Sequence, residues 1–349
     1  MSAVITGLGL VLPGANDPEA ARKILEAGTP QFRELPEALG VGRGAVADLP
    51  AGVIPPMQAR RLDRGSRFAW AAAAAAFQDA AFDPKTYGGE RIAVAAGTLT
   101  GGSEASEAFM RPYLQRGPEG ASPLVFPNCV ANAPGGHVAV AFGLKGPSAT
   151  LLEREAATLA ALEQGARWLG LGLADAVLVL GFDALFPLLL DVLDGARLLA
   201  RHGDPKPGGR TGLLPGEGAV ACLLEREADA KVRGARIRAR LGALACAAPT
   251  TLDGDRAAAM GRAVAALGEA PFEAWIRGAN GSPRLDAAEA KLGPGLPEPL
   301  APKALWGEFV GAGGALLATA LLRPARSVLV TAPTSFGLQY ALRLDAVAP

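Results

Sequence analysis

The sequence predicts a layered α/β fold, because strand-like apolar runs alternate with apolar helix signals along the whole chain. Two facts of composition agree with it. Half of the 349 residues are hydrophobic and only 19% are charged, so the chain can build two ordinary domains or one large body with a substantial core. Its 34 basic residues balance its 34 acidic ones. A neutral chain without a basic run offers no electrostatic reason to expect nucleic acid or an anionic membrane as partner.

The elements follow in order. Ala3 to Gly7 is a short β-rich run closed by glycines, and Pro18 to Glu26 reads as a helix. The opening MSAVITGLGLVLPG has no basic n-region and predicts a first strand, not a signal peptide. Residues 27–60, rich in Gly and Pro, predict a surface excursion. Arg67 to Phe82 has high helix propensity and almost no polar face, which predicts a buried helix. Ile92 to Ala96 predicts the next strand. A Gly-Gly pair then opens a helix from about Ser103 to Arg111, which Pro112 stops. After Gly146-Pro147 come a short apolar strand, a turn, a long Ala/Leu-rich helix and the buried strand Ala176 to Gly181. A second set begins near Ala235 with the strand RIRARLGALA and passes through a helix at Asp255 to Leu267. It ends with strands at Val328 to Thr331 and Tyr340 to Leu344. No sequence repeat links the two sets. No apolar run is long enough for a membrane span, since Leu169 to Leu180 is broken by Gly170, Gly172 and Asp175.

Cys129, Cys222 and Cys246 are far apart and odd in number, so they form no disulfide framework or metal pattern, which fits the cytoplasm. The two histidines, His137 and His202, exclude acid–base or metal chemistry built on several imidazoles. Cys129, eight residues before His137, reads as structural; His202 reads as a solvated loop residue, and EREADAK at 225–231 as a solvated charged face. Gly7-Leu8-Gly9 lacks the third glycine and the later acidic residue of a dinucleotide loop, so no such cofactor is expected, nor a metal.

Several motifs agree in order and spacing with the β-ketoacyl-acyl-carrier-protein synthases of the thiolase superfamily. VITGLGLVLPG resembles their opening strand VVITGLGxVSPxG, and PGEGAVACLLE resembles GEGAGxLVLE, with Glu217 in the expected place. The corner after Gly146 and Pro147 resembles GPs-x-x-V-x-T-A-C-A-x-G, and the count puts the nucleophilic cysteine on Glu155. RGANGSPRLDAAE resembles AHGTGTPLxD, with Pro283 and Asp286 fixing the register and Gly278 at the first histidine. KALWGEFVGAGG resembles KSxTGHxxGAAG; it retains Lys303 and Gly307, and Glu308 takes the second histidine's position. PTSFGLQYALRL resembles the NSFGFGGTNA loop that supplies an oxyanion-hole amide, keeping Phe336 but shortened. Leu124 to Gly146 resembles the family's dimer-interface segment.

The resemblance implies a thiolase fold, layered α-β-α-β-α and built from two similar halves, 1–230 and 231–349, in one compact unit. It also implies that all three catalytic positions are changed. A carboxylate at 155 cannot form the acyl thioester, which needs a thiolate. This pattern is similar to the chain-length-factor subunits of type II polyketide and aryl-polyene synthases, although those commonly carry glutamine where Glu155 stands. Those subunits form heterodimers with an active ketosynthase, which works on acyl groups carried by an acyl carrier protein. Ser103, Ser106 and Met110 share one helical face, and the resemblance puts them, with Pro127, at tunnel-gating positions; ordinary helix packing is the alternative reading. Two other functions are carried forward: a decarboxylase or hydrolase using Glu155 and Glu308 as a carboxylate pair, and a homodimeric acyl-binding scaffold.

Overall fold

The computed structural model describes residues 2–39, 42–200, 212–251, 254–269, 271–293 and 295–347. His202 lies outside the described residues. Twelve strands are assigned among them. The first half holds β1 (Ala3–Val11), a small hairpin of β2 (Arg33–Glu34) and β3 (Arg43–Gly44), then β4 (Ile92–Gly97), β5 (Ser148–Leu151), β6 (Ala176–Asp183) and β7 (Gly218–Arg226). The second half holds β8 (Ala239–Ala247), β9 (Ala274–Arg277), β10 (Pro299–Leu300), β11 (Ser327–Pro333) and β12 (Gln339–Asp345).

All but the hairpin join one sheet in the order β10-β9-β11-β12-β8-β1-β7-β6-β4-β5. The order repeats itself outward from the middle. From β1, the neighbours are the last, fourth, second and third strands of the first set; from β8, they are the same members of the second set. Pairing senses repeat too: β1–β7 and β7–β6 are antiparallel and β6–β4 and β4–β5 parallel, as β8–β12 and β12–β11 are antiparallel and β11–β9 and β9–β10 parallel. The chain is thus two similar halves, joined where Ala3–Ile5 pairs with Ala239–Leu241.

Helices make three layers around these strands. Ala157–Gly170 and Gly314–Leu322 lie in the middle, sharing one core with Ile5, Leu8, Val220, Val328 and Val330. Arg64–Asp79 covers the outer face of the first half, where Phe68 and Phe77 are buried, each worth about 1.5–3 kcal/mol. Arg256–Ala265 covers the second half over Trp275 and Leu329. The architecture is α-β-α-β-α. Local chemistry starts these helices. Asp17 caps Pro18–Ala27 by accepting from the amides of Glu19 and Ala20, Asp63 caps Arg64–Asp79 through Ser66 N, and Asp255 caps Arg256–Ala265. The Gly7-Leu8-Gly9 motif has a packing role: a Cβ on Gly9 would stand 1.9 Å from the Ala72 carbonyl oxygen, and one on Gly7 2.3 Å from that of Ala76. The glycines let the alanine-rich helix lie directly on β1.

Three local expectations are corrected. The helix from Ser103 runs through Pro112 to Arg116. A proline removes one helical donor, and stacking of Phe109 on Tyr113 and packing of Phe109 against Phe126 hold the helix together across it. Residues 27–60 are not all surface, since Ala45 and Ala47 are fully buried and Ala45 N donates to Pro215 O. The 225–231 run is not uniformly solvated either: Glu225 is buried, and accepts from Arg233 Nε at 2.8 Å and Thr6 Oγ1 at 2.5 Å. No helix among the described residues is long and apolar enough to cross a membrane.

Candidate active-site remnant

The corner that the sequence singled out is a strand-turn-helix elbow. β5 ends at Leu151, Arg154–Ala156 forms a 3-10 turn, and the buried helix Ala157–Gly170 follows. Arg154 adopts φ 49°, a left-handed conformation costly for a side-chain-bearing residue. Next to it, the Glu155 side chain is buried. Its Oε2 accepts from Ser335 N at 2.9 Å and from Ser335 Oγ at 3.2 Å. Ser335 sits in the turn between β11 and β12, the turn that matches the oxyanion-amide loop. Arg256 clamps this turn from outside, donating Nη1 to Thr334 O at 2.6 Å and Nη2 to Ser335 O at 3.2 Å. Phe336, exposed, carries the Arg154 guanidinium 4.1 Å above its ring.

The first histidine position is closed off sterically. Gly278 follows β9 and donates its N–H to Glu289 Oε1 at 2.8 Å. A Cβ there would stand 2.8 Å from Pro333 Cδ and 3.0 Å from Thr331 O. Glu289, fully buried, also accepts from Thr331 Oγ1 at 2.5 Å and Arg277 Nε at 3.3 Å, and burial raises its carboxyl pKa above the usual range.

The second histidine position is filled by an ion pair. Glu308 is buried against Lys303 Nζ at 2.8 Å; its Oε2 also accepts from Asn280 Nδ2 at 2.6 Å and its Oε1 from Phe309 N at 3.1 Å. The backbone is tied down as firmly, Glu308 N donating to Leu214 O and Gly216 N to Glu308 O, both at 2.7 Å. Gly307, at φ 85°, makes the bend that brings Lys303 and Glu308 together. Asp286 holds the preceding loop by accepting from Asn280 N at 2.9 Å. Asn280, Ser335, Arg154 and Arg256 were not singled out by the sequence; only the neighbourhood of Ser335 to Phe336 hinted at one of them.

Glu155, Ser335, Asn280 and Phe309 line a cavity of about 1120 Å³, walled largely by leucines from helix Pro187–Gly195 and the segments beside it. Ser103 reaches this cavity. Ser106 does not line it: its Oγ donates to Gly102 O at 2.8 Å and Cys129 O at 3.1 Å. Met110 and Pro127 are exposed, as are Leu114, Leu124, Phe126 and Val140. Glu217 is fully buried, paired with Arg64 Nε at 2.8 Å and accepting from Leu185 N at 3.1 Å, a structural tie. His137 pairs with Asn128 at 2.7 Å, and burial lowers its pKa. Cys129 Sγ instead lies 3.7 Å from Val125 O.

Chemically, the carboxylates are already committed. Glu155 is bound to Ser335, Glu308 to Lys303 and Asn280, and no hydrogen bond joins the two among the described residues. Among the described residues, no group of three or more His, Cys, Asp or Glu side chains is placed to hold a metal.

The elbow, the loop opposite it and the doubled five-layer architecture define a thiolase-fold protein. The model of the beta-ketoacyl synthase N-terminal domain matches residues 2–230, and the chain belongs to that family. It is 27% identical over 252 residues to the 3-oxoacyl-[acyl-carrier-protein] synthase 2 of Vibrio harveyi, covering 68% of this chain and 61% of that one. It is 29% identical over 191 residues to the synthase of the same name from Staphylococcus aureus, covering 53% of this chain and 47% of that one. The chain therefore spans about half to three-fifths of the length of these curated relatives. Among solved structures, the ishigamide ketosynthase/chain length factor superposes with TM-score 0.85 at 22% identity, over 99% of both chains. A type II polyketide synthase acyl-carrier protein in complex with its ketosynthase bound to the hexaketide gives 0.82 at 18%, also over 99% of both chains. A beta-ketoacyl synthase from Burkholderia phymatum gives 0.84 at 21%, over 99% of this chain and 100% of that one.

Proposed function

We propose that this chain is a non-catalytic ketosynthase-like subunit of the chain-length-factor kind, which pairs with an active ketosynthase in the cytoplasm and shapes the tunnel for its growing acyl chain. One observation carries the reading. The three positions that would hold cysteine and two histidines hold Glu155, Gly278 and Glu308, each built into local bonding that leaves no nucleophile and no imidazole. Charge stabilisation of the reacting carbonyl is commonly the largest catalytic contribution, and the Ser335 amide that could supply part of it is taken by Glu155. The curated relatives are named as synthases; at these positions this chain departs from what that chemistry requires. We keep the boundary of its two halves at residues 230/231, a position inside the short helix Glu227–Val232 that lies between β7 and β8.

Exposed apolar side chains support a partner. Met110, Leu114, Leu124, Phe126, Val130 and Val140 are exposed together with the outermost strand β5, whose free edge can take another strand. The proposed partner is a ketosynthase with intact cysteine and histidines, and the acyl chains reach the pair on an acyl carrier protein. Ser103, Ser106, Met110 and Pro127 are the proposed tunnel residues, with Met110 and Pro127 on the face offered to the partner. The test is reconstitution. The chain alone should not condense malonyl-carrier units, and the chain with its partner should. Condensation by the isolated chain, abolished by Glu155→Ala, would end this reading.

A further inference from the structure

Against one wall of the large cavity lies a small void of about 10 Å³, room for a single water at most, and its lining is acidic. Asp63, Glu104 and Asp183 come to it from three elements: the cap of helix Arg64–Asp79, the first turn of helix Ser103–Arg116 and the end of β6. Among the described residues no cation lines it. Thr100 and Phe186 line both spaces, so a change in the void bears on the cavity. The Arg64 guanidinium is engaged by a fourth carboxylate, the buried Glu217. His137 faces Asp63 from helix Ala133–Phe142, but its ring is bonded to Asn128 and burial lowers its pKa. Glu107, one turn along from Glu104, pairs with Arg111, and Asp48 faces Arg64.

Two of these acids differ in what supports a charge. Asp183, buried, accepts from Thr100 N at 2.7 Å, Thr100 Oγ1 at 2.8 Å, Thr98 Oγ1 at 2.9 Å and Leu99 N at 3.0 Å. Among the described residues Glu104 accepts only from Arg64 N, at 3.0 Å. Burial pushes both carboxyls up to about 7, and Asp63 adds to the effect at Glu104. Four donors favour charge on Asp183, which leaves the proton to Glu104. The bond to Arg64 N joins the starts of two helices, and an ionised Glu104 there faces the charges of Asp63 and Glu217. We propose that Glu104 is a proton-operated latch: neutral, it keeps the start of helix Ser103–Arg116 seated on helix Arg64–Asp79; ionised, it frees that turn and the Thr98–Gly102 loop, and with them one wall of the large cavity. Because the folded carboxyl is raised, the latch is firmest below the ordinary carboxyl range, loosens as pH rises, and is loosest above about 7. The inference concerns this chain alone, so its failure leaves pairing with a ketosynthase standing.

The test is hydrogen exchange read by mass spectrometry on the full chain, wild type against Glu104→Gln, at pH 4 and pH 8. Comparing two proteins at one pH cancels the intrinsic pH dependence of exchange. At pH 4 the amides of residues 98–108 should exchange within about two-fold of each other in the two proteins. At pH 8 the wild type should be at least about thirty-fold faster, since its carboxyl is moved from about 4.3 to about 7. Helix Ala157–Gly170 should stay at least about ten-fold better protected than residues 98–108 in the wild type at pH 8, which separates local release from global unfolding. Asp63→Asn keeps a capping side chain and removes a charge facing Glu104, so the pH 8 ratio measured in that background should be at least about three-fold smaller. No acceleration at pH 8, a full acceleration already at pH 4, equal protection in helix Ala157–Gly170, or a ratio indifferent to Asp63→Asn would each overturn the latch.

Discussion

Replacing Glu308 with alanine would leave the Lys303 ammonium in the interior without its counter-charge. The side chains of Lys303 and Glu308 are 4% and 1% exposed, and the ammonium lies 2.8 Å from the carboxylate. Breaking such a pair by removing one partner costs about 3–5 kcal/mol, because the remaining ion keeps its desolvation penalty and loses its attraction. Loss of the acceptor for Asn280 Nδ2 and Phe309 N acts in the same direction. At roughly 2 °C per kcal/mol for a chain of this size, the unfolding midpoint should fall by about 6–10 °C. Adding Lys303→Met to Glu308→Leu removes both charges and restores apolar volume, so the double variant should be more stable than either single one. Scanning calorimetry of the wild type, Glu308→Ala, Glu308→Leu, Lys303→Met and the double variant in one buffer measures the single loss and the cycle. A drop of less than about 1 kcal/mol for Glu308→Ala, or a double variant as unstable as the two singles combined, would refute the reasoning and reopen Glu308 as a carboxylate free for chemistry.

Other outcomes follow from the same geometry. Burial, with Asp63 nearby, pushes the Glu104 carboxyl up to about 7. A raised carboxyl stabilises the fold below its unfolded pKa and loses that contribution as pH rises through the folded value. Glu104→Gln should therefore stabilise the protein at pH 8 by up to about 3 kcal/mol and change little at pH 4, as read from midpoints at the two pH values. Gly278→His should cost about 1–3 kcal/mol by thermal unfolding, because its Cβ would enter the contact with Pro333 and Thr331. A tolerated, unshifted midpoint would show that the first histidine position is still open. Ser106→Phe, co-produced with the ketosynthase partner, should shorten the product by one or more extension units in mass spectra; unchanged length would remove Ser106 from the tunnel.

The legible parts of the fold were those encoded over short distances. The helices expected at Pro18–Glu26, Arg67–Phe82 and Asp255–Leu267 are present as Pro18–Ala27, Arg64–Asp79 and Arg256–Ala265; the second starts three residues earlier than expected, because Asp63 caps it through Ser66 N. The elbow at 148–157 was readable because a strand, a turn and a helix succeed one another without interruption. What escaped the sequence is held by distant partners. Ser335 meets Glu155 across 180 positions, and Glu225 is buried because Thr6 comes to it from the other end of the half. Pro112 misled because local helix chemistry was outweighed by aromatic packing with Phe126. The Glu308 position was legible as a substitution, but its bonding was only partly so: Lys303 is five residues away and Asn280 is 28.

The placement of β1 bears on synthesis at the ribosome. Among the described residues, Ala3–Val11 pairs with 219–226 and 239–241, so this strand meets its sheet neighbours after some 200 further residues have been made. At about 5–20 residues per second, that is a wait of roughly 10–40 seconds. During that interval the helix Arg64–Asp79 is the neighbour already made that can cover one face of the ribbon, while both edges of the ribbon wait for their strands.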